Sequence, residues 1–355
     1  MTQDYVELHC HSAFSLLDGA ASPETLVGQA AALGYKALAL TDHDELGGFV
    51  RFAQAAQEIE GFKPIIGAEL TVGAHHLVLL AETREGYGNL STLITRGRMD
   101  SPRGQPSVSL DLVARHAAGL TALTGCPRGW VPSALVADGP HVAKAAAGTL
   151  LDIFGREHLG VECWNHGLPE ERQVVRGLIP IARALGLPWV VTNNVHYAEP
   201  RLALVHDVLS SLRHSTTLDE MGTRLKPNAE WYLKSAAEIR RQWPDATGMR
   251  STLAIAERCA FRLAQLEPTL PKFPVDEPDA YLAELVERGA TERWGTDRTE
   301  KHQRQIQHEL AMIKQLGYAG FFLIAAQWEY RLGFGLIFIA WSFLCAFVYV
   351  REVYG

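Results

Sequence analysis

The chain has 355 residues, of which 47% are hydrophobic and 21% are charged, and its formal net charge is −7 at pH 7. This length suffices for one large α/β domain with a smaller one, or for two to three domains, and the composition is that of a soluble globular protein. The negative charge excludes a general attraction to nucleic acid, so any contact with DNA must be local. Five scattered cysteines and a polar N-terminus without a signal-peptide profile favour a reducing, cytoplasmic setting.

The opening segment, residues 5–11, is predicted to be an extended strand that ends in two histidines. His9 and His11 are two residues apart. Because side-chain direction repeats every second residue in a strand, both imidazoles face the same side. Two such rings can share a zinc, manganese or iron ion, with Asp18 as a nearby carboxylate ligand. An isolated pair is a weak signal, since a half-buried strand with satisfied histidines has the same pattern.

Strand and helix patterns then alternate up to about residue 200. A capping serine followed by proline begins a helix at Ser22, and Gly34 ends it. Further helices are predicted at about 46–60, between 86 and 116, at 141–153 and at 169–185. Further strands are predicted at 36–40, 63–72, 76–81, 119–124, 159–163 and 188–193. About seven strands separated mostly by helices predict an α/β fold with parallel pairing, in a closed or nearly closed β/α barrel over residues 1–200.

A barrel of this kind carries its chemistry at the carboxyl ends of its strands. Side chains of the types that ligate metals lie late in the predicted strands or directly after them, namely His9, His11, His43, Glu69, Cys126 and His196. His76 is the exception, because it begins its strand. A tight turn at Gly73 and Ala74 would make residues 63–81 a hairpin and keep His76 near the same rim.

The pattern changes after residue 200 to helices with polar connections, predicted over residues 201–325. The final segment, 326–355, contains 19 uncharged residues at 332–350, which is long enough to span a bilayer. A membrane anchor, a helix buried against partner sequence, and a tail created by frameshift or truncation are the three interpretations. We favour the last two, and expect no membrane partner.

The candidate donors are too many for one tetrahedral site: His9, His11, Asp18, His43, Glu69, His76, Cys126, Asn194 and His196. Two or three ions fit this set better. Ions about 3.5–4 Å apart are used in phosphoester hydrolysis, where they polarise phosphoryl oxygens and lower the pKa of a bound water towards roughly 7. Glu69 and Asp18 are the candidates for carboxylates that bridge such ions.

Five stretches of sequence resemble a known family in their order and spacing: LHCHSAFSLLDGA, ALALTDHDELGG, GAELTV followed by HHLVLLAETREGYGNL, LTGCPRG and TNNVHY. They are similar to the polymerase and histidinol phosphatase (PHP) domain at the N-terminus of bacterial C-family DNA polymerase III α subunits. The stretches TTLDEMGTRLKPNAEWYLKSAAEI and LGYAGFFLIA resemble the error-prone branch. The resemblance covers residues 5–325, and no polymerase-like aspartate pair follows, so we expect the chain to leave the pattern before the palm and to lack polymerase activity.

The resemblance implies a distorted (β/α)7 barrel that binds two or three divalent ions (Zn, Mn or Fe). It places the ligands on His9, His11, Asp18, His43, Glu69, His76, Cys126 and His196. Asn194 stands where the family typically has Asp, and an amide brings no charge to the ion that it would share with His196. The implied activity is phosphoester hydrolysis of the 3′-5′ exonuclease type. The implied partners are DNA or another phosphoester, and other polymerase or mutagenesis proteins.

Two alternatives stay open. The metal centre could be a non-catalytic module that stabilises a polymerase, or the chain could be a stand-alone phosphatase of the histidinol-phosphate type. The matches at 213–240 and 316–325 to polymerase sequence argue against the phosphatase. Glu162 and His166 are candidates for support behind the ligands or for surface roles. The remaining histidines that we expect to be ordinary are His116, His141, His158 and His206.

Overall fold

A computed structural model describes residues 5–266 and 272–332, and the chain divides into two compact units, Met1–Leu266 and Glu267–Gly355. The strands of the first unit are β1 Ala37–Leu40, β2 Lys63–Val72, β3 His75–Ala81, β4 Leu120–Leu123, β5 Leu159–Cys163 and β6 Trp189–Val191. Its helices are α1 Pro23–Ala32, α2 Phe49–Gln57, α3 Arg84–Met99, α4 Leu110–Arg115, α5 Trp130–Asp138, α6 Pro140–Phe154, α7 Pro169–Leu185, α8 Ala203–Arg213, α9 Leu218–Met221, α10 Ala236–Gln242 and α11 Thr247–Arg258.

The six strands lie side by side in chain order, and the opening segment closes them into a ring. Glu7 forms a parallel bridge to Leu38 in β1, and Cys10 forms one to Val195, just after β6. The amide of Val195 donates to the His9 carbonyl at 2.9 Å, and the amide of His11 donates to the Val195 carbonyl at 2.8 Å. The opening segment is therefore the seventh member of the barrel. The predicted α/β barrel is confirmed.

Parallel pairing, expected for the barrel outside the possible hairpin at 63–81, is wrong for β3 and β4. Strand β2 pairs antiparallel with β3, and β3 pairs antiparallel with β4. The turn at Gly73, whose φ is 61°, leaves no room for the crossover that parallel neighbours need, so β2 and β3 form the predicted hairpin. Thr71 faces His76 across this hairpin. The hairpin thus returns His76 to the end of the barrel at which Glu69 lies.

Apolar residues fill both faces of the sheet, which is why the strands appear in the sequence as almost continuous hydrophobic runs. Alternate strand residues such as Leu38 and Leu79 belong to a large cluster with the helices, and their neighbours Ala39 and Leu80 belong to a smaller one. The end of α11 contributes Ile255 to the smaller cluster, together with two residues near it. Helices α8 to α11, which follow the predicted barrel in the sequence, belong to the first unit.

The second unit contains the helices α12 Pro278–Trp294, α13 Glu300–Leu316 and α14 Ala319–Leu332. Leu282, Ala319 and Leu323 form its small buried cluster. Among the described residues no single helix has both the length and the apolarity to cross a bilayer; α13 and the start of α14, bent by 114°, meet those two criteria only as a pair. All but the first residue of the predicted hydrophobic run 332–350 lie outside the described residues.

Candidate metal centre

The buried carboxylate of Glu69, late in β2, is surrounded by four imidazoles. Its Oε2 lies 2.8 Å from His43 Nδ1 and 3.7 Å from His11 Nε2. Its Oε1 lies 3.1 Å from His76 Nδ1 and 3.4 Å from His9 Nε2. These side chains come from the opening segment, from the loop after β1 and from both strands of the hairpin. Closure of the ring therefore gathers them at one end of the barrel.

In the cluster around Glu69, interactions between carboxylates and imidazoles compensate for the desolvation of their charged forms. Burial favours the protonated form of Glu69, but the neighbouring His43 and His9 hold its pKa well below the ordinary value. Burial alone would lower the pKa of His9, yet the carboxylates of Glu162 and Glu69 raise it to about 10. The pKa of His11 is lowered well below its usual range by burial and by the imidazoles beside it. The cluster thus places an ionised carboxylate among buried imidazoles, which are the two donor types that a divalent cation site combines.

Glu162, in β5, supports the cluster from behind. Its Oε1 lies 2.6 Å from His9 Nδ1 and accepts a hydrogen bond from Thr192 Oγ1 at 2.5 Å. This contact occupies one ring nitrogen of His9 and leaves Nε2 directed at Glu69 and His11, 3.1 Å from His11 Nε2. A carboxylate behind a histidine is the usual device that orients an imidazole towards a metal.

Asp18 forms a second centre beside the first. Its Oδ2 lies 3.0 Å from His43 Nε2 and 3.2 Å from His196 Nδ1, while its Oδ1 lies 3.1 Å from Arg213 Nη1. Burial opposes ionisation of Asp18, but contacts with the surrounding imidazoles hold its pKa well below the ordinary value. Burial and the ammonium of Lys226 lower the pKa of His196 to about 3. His43 therefore joins the two centres, with one ring nitrogen on each carboxylate.

The two remaining predicted residues flank this pair of centres. Cys126 Sγ lies 3.4 Å from His76 Nδ1, and burial, with the charge of Glu69, raises the pKa of its thiol well above the ordinary value. Asn194 Oδ1 lies 3.2 Å from His11 Nε2. Its backbone is left-handed with φ of 43°, a conformation that asparagine adopts more readily than most residues. Both side chains are buried near the imidazoles, and their roles as ligands stay predictions.

The donor set fits divalent cations. Within the described part of the chain, three groups have ligand atoms within 4.8 Å of one another: His9, His11 and Glu69; His43, Glu69 and His76; and Asp18, His196 and His206. Glu69 Oε1 is also a buried oxygen without a hydrogen-bond partner among the described residues. Imidazole and carboxylate donors suit zinc, manganese and iron.

Three side chains of the site were not predicted from the sequence, because they do not lie at the ends of strands. His206, expected to be ordinary, lies on α8 with Nε2 3.6 Å from Asp18 Oδ1. Arg213 lies at the end of the same helix. The ammonium of Lys226 lies 4.4 Å from the ring centre of Trp231, and burial lowers its pKa to about 8. All three follow the predicted barrel in the sequence, where no strand end marks them.

Residues 7–166 match the family model of the PHP domain, and residues 280–328 match the model described as the bacterial DNA polymerase III alpha NTPase domain. The error-prone DNA polymerase of Symbiobacterium thermophilum is 40% identical over 344 residues, which cover 90% of this chain and 31% of that protein. DNA polymerase III subunit alpha of Treponema pallidum is 34% identical over 346 residues, or 92% of this chain and 29% of that protein. The chain thus spans about a third of the length of these relatives.

A similarity is also found to a solved structure. An amidohydrolase from Chromobacterium violaceum, determined with bound sulfate and no metal, aligns with 54% of this chain and 88% of its own at 19% identity, with a TM-score of 0.42.

Proposed function

Residues 7–166 belong to the PHP domain family, and the relatives of the chain are error-prone DNA polymerases and DNA polymerase III α subunits. On this premise we propose that the mouth of the barrel is a metal-dependent phosphoesterase site. The observation that carries the proposal is the convergence of four imidazoles on the buried Glu69 carboxylate, from segments up to 67 residues apart in the sequence. The activity is of the 3′-5′ exonuclease type, on a nucleic acid end.

Some residues of the site would ligate the ions, and others would orient those ligands. Glu69, with His9, His11 and His76, would hold one ion, and Asp18, with His43 and His196, would hold another. Bound divalent ions would supply electrophilic stabilisation of phosphoryl oxygens and a nucleophile at neutral pH. The Glu162 carboxylate keeps the His9 ring in place. The finer assignments, namely zinc, manganese or iron and two or three ions, are part of this proposal.

Two cationic side chains give the mouth its selectivity for anions. The Arg213 side chain is 44% exposed, so its guanidinium reaches solvent while one nitrogen contacts Asp18. The Lys226 ammonium carries its charge beside the same centre. A phosphate that approaches the mouth therefore meets positive charge although the chain is acidic overall. This local positive charge provides the contact with an anionic substrate that the net charge of the whole chain would not predict.

Purified chain, stripped of metal and then given manganese or zinc, tests the proposal on a generic phosphodiester and on end-labelled single-stranded DNA. We expect hydrolysis that His9→Ala abolishes and that His141→Ala, at an exposed histidine of α6, leaves unchanged. Equal rates for His9→Ala and the wild type would place the activity elsewhere.

A second candidate function is a metal-stabilised module without catalysis, and Asn194 favours it. An amide at this position, 3.2 Å from His11, adds no negative charge to the centre. Metal binding without hydrolysis in the same assay would select this candidate. The similarity to polymerases over 90% of the chain favours both of these functions over a stand-alone histidinol-phosphate phosphatase.

The division of the chain follows from the proposed function. Residues 1–200 would form the metal-binding barrel, 201–325 a helical extension towards a polymerase palm, and 326–355 a hydrophobic tail that does not continue the family resemblance. DNA, other polymerase or mutagenesis proteins and a cytoplasmic location are the partners and setting that a polymerase-associated phosphoesterase would have.

A further inference from the structure

Helix α8 directs two side chains towards Asp18. His206 and Arg213 are seven residues apart, about two helical turns, and therefore lie on one face of the helix. His206 Nε2 lies 3.6 Å and Arg213 Nη1 3.1 Å from Asp18 Oδ1. Leu204 and Val208 are exposed, so they do not share this buried face. A helix that follows the predicted barrel thus contributes directly to its mouth.

The ring of His206 is buried, and its nitrogens approach carboxylates at distances longer than a hydrogen bond, Asp18 at 3.6 Å and Asp207 at 3.7 Å. Only 3% of the residue is exposed, and neither Nδ1 nor Nε2 has a hydrogen-bond partner among the described residues. Nδ1 of His196 also lacks a hydrogen bond, although it lies 3.2 Å from Asp18 Oδ2, and its ring centre lies 5.3 Å from that of His206. A buried polar atom left unpaired costs about 1–3 kcal/mol. Two such imidazoles against one carboxylate indicate that a cation completes the group.

The distances agree with a coordination shell. Ligand atoms about 2.0–2.2 Å from a tetrahedral ion lie about 3.3–3.6 Å from one another. The Asp18 oxygens lie 3.2 Å from His196 Nδ1 and 3.6 Å from His206 Nε2. All three donors lie within 4.8 Å of one another. We propose that His206 is a further ligand of the divalent cation that Asp18 and His196 would hold, and that this cation fastens α8 to the barrel.

This inference rests on the proposed function and extends it in two ways. It adds a ligand from a helix to a site otherwise built at strand ends and loops. It also makes the position of Arg213 depend on the metal, because His206 and Arg213 belong to the same short helix. A cation at this site would hold the Arg213 guanidinium beside the phosphoryl group of the proposed substrate.

Ion counting by mass spectrometry tests the proposal on the full chain, reloaded with zinc after chelation. The variants are His206→Ala, His206→Leu, which fills the space without ligating, and His214→Ala, at an exposed histidine that caps the same helix. We expect both His206 variants to bind one zinc ion fewer than the wild type, and His214→Ala to bind the same number. Hydrogen exchange of α8 should slow on zinc addition in the wild type and in His214→Ala only.

The outcomes separate the two proposals. Equal zinc content in the His206 variants and the wild type, with unchanged α8 protection, overturns the role of His206 and leaves the proposed function standing. A wild type that binds no zinc or manganese overturns both. Circular dichroism of the two His206 variants shows whether they are folded. If His206→Ala does not fold, the loss of one ion in folded His206→Leu is sufficient to support the proposal.

Discussion

His9 Nδ1 lies 2.6 Å from Glu162 Oε1, and both side chains are fully buried. A neutral amide at this position would keep the shape but lose the charge that orients the ring and raises its basicity. We expect Glu162→Gln to weaken metal binding by about 10–100-fold while the fold is retained. Competition with a chromophoric chelator measures this affinity. Glu157→Gln, at an exposed glutamate nearby, should leave it unchanged, and equal affinities for the two variants would contradict the assignment.

Asn194 offers a gain-of-function test. Aspartate also tolerates the left-handed backbone at φ of 43°, so Asn194→Asp should fold normally and add negative charge 3.2 Å from His11. We expect metal affinity to rise about tenfold or more, since anionic oxygen is the better cation ligand. Titration with manganese measures the change. Asn165→Asp serves as the control, and an unchanged affinity in Asn194→Asp would exclude this amide from the coordination shell.

Lys226 should make stability depend on pH in the metal-free protein. Burial lowers its pKa from 10.5 to about 8, so the folded state binds this proton less tightly than the unfolded state does. The resulting penalty is fully present below pH 8 and fades between pH 8 and about 10.5. We expect Lys226→Met to be more stable than the wild type by about 1–2 kcal/mol at pH 7, with a difference that shrinks towards pH 10. Urea unfolding in chelator at several pH values measures it; a constant difference would contradict the cause.

Removal of metal should lower the melting temperature of the chain. A ligand at about 100 times its dissociation constant stabilises the folded state by about 2.7 kcal/mol, and the first unit is large enough that each kcal/mol shifts the transition by about 2–4 °C. We therefore expect chelation to lower the transition by several degrees in the wild type and by less in His9→Ala. Differential scanning fluorimetry with and without zinc measures the shift. Identical transitions with and without chelator would argue against any metal centre.

The sequence predicted the Glu69 cluster because strand periodicity is a local property. The alternation in the opening segment places His9 and His11 on one side, and the short turn at Gly73 dictates a hairpin that returns His76 to the rim. Each inference needed only a few neighbouring residues. The same reasoning predicted α7 over 169–185 and β5 over 159–163 with the bounds that the structure shows.

His206 could not be predicted in this way. Its helix follows the barrel, and its position beside the site depends on how α8 packs near Asp18, 188 positions earlier in the chain. Arg213 and Lys226 are missed for the same reason. The antiparallel pairing of β3 with β4 was not predicted: the hairpin reverses β3, so that this strand runs antiparallel to both of its neighbours.

The ring closure carries a consequence for synthesis of the chain. The opening segment pairs with Val195, so the barrel cannot shut until nearly two hundred residues have left the ribosome. At about 5–20 residues per second this delay is roughly 10–40 s. Throughout that interval His9 and His11 lack the segment around Val195 with which they later pair. Folding of the nascent chain therefore depends on a contact between residues far apart in the sequence, which forms late.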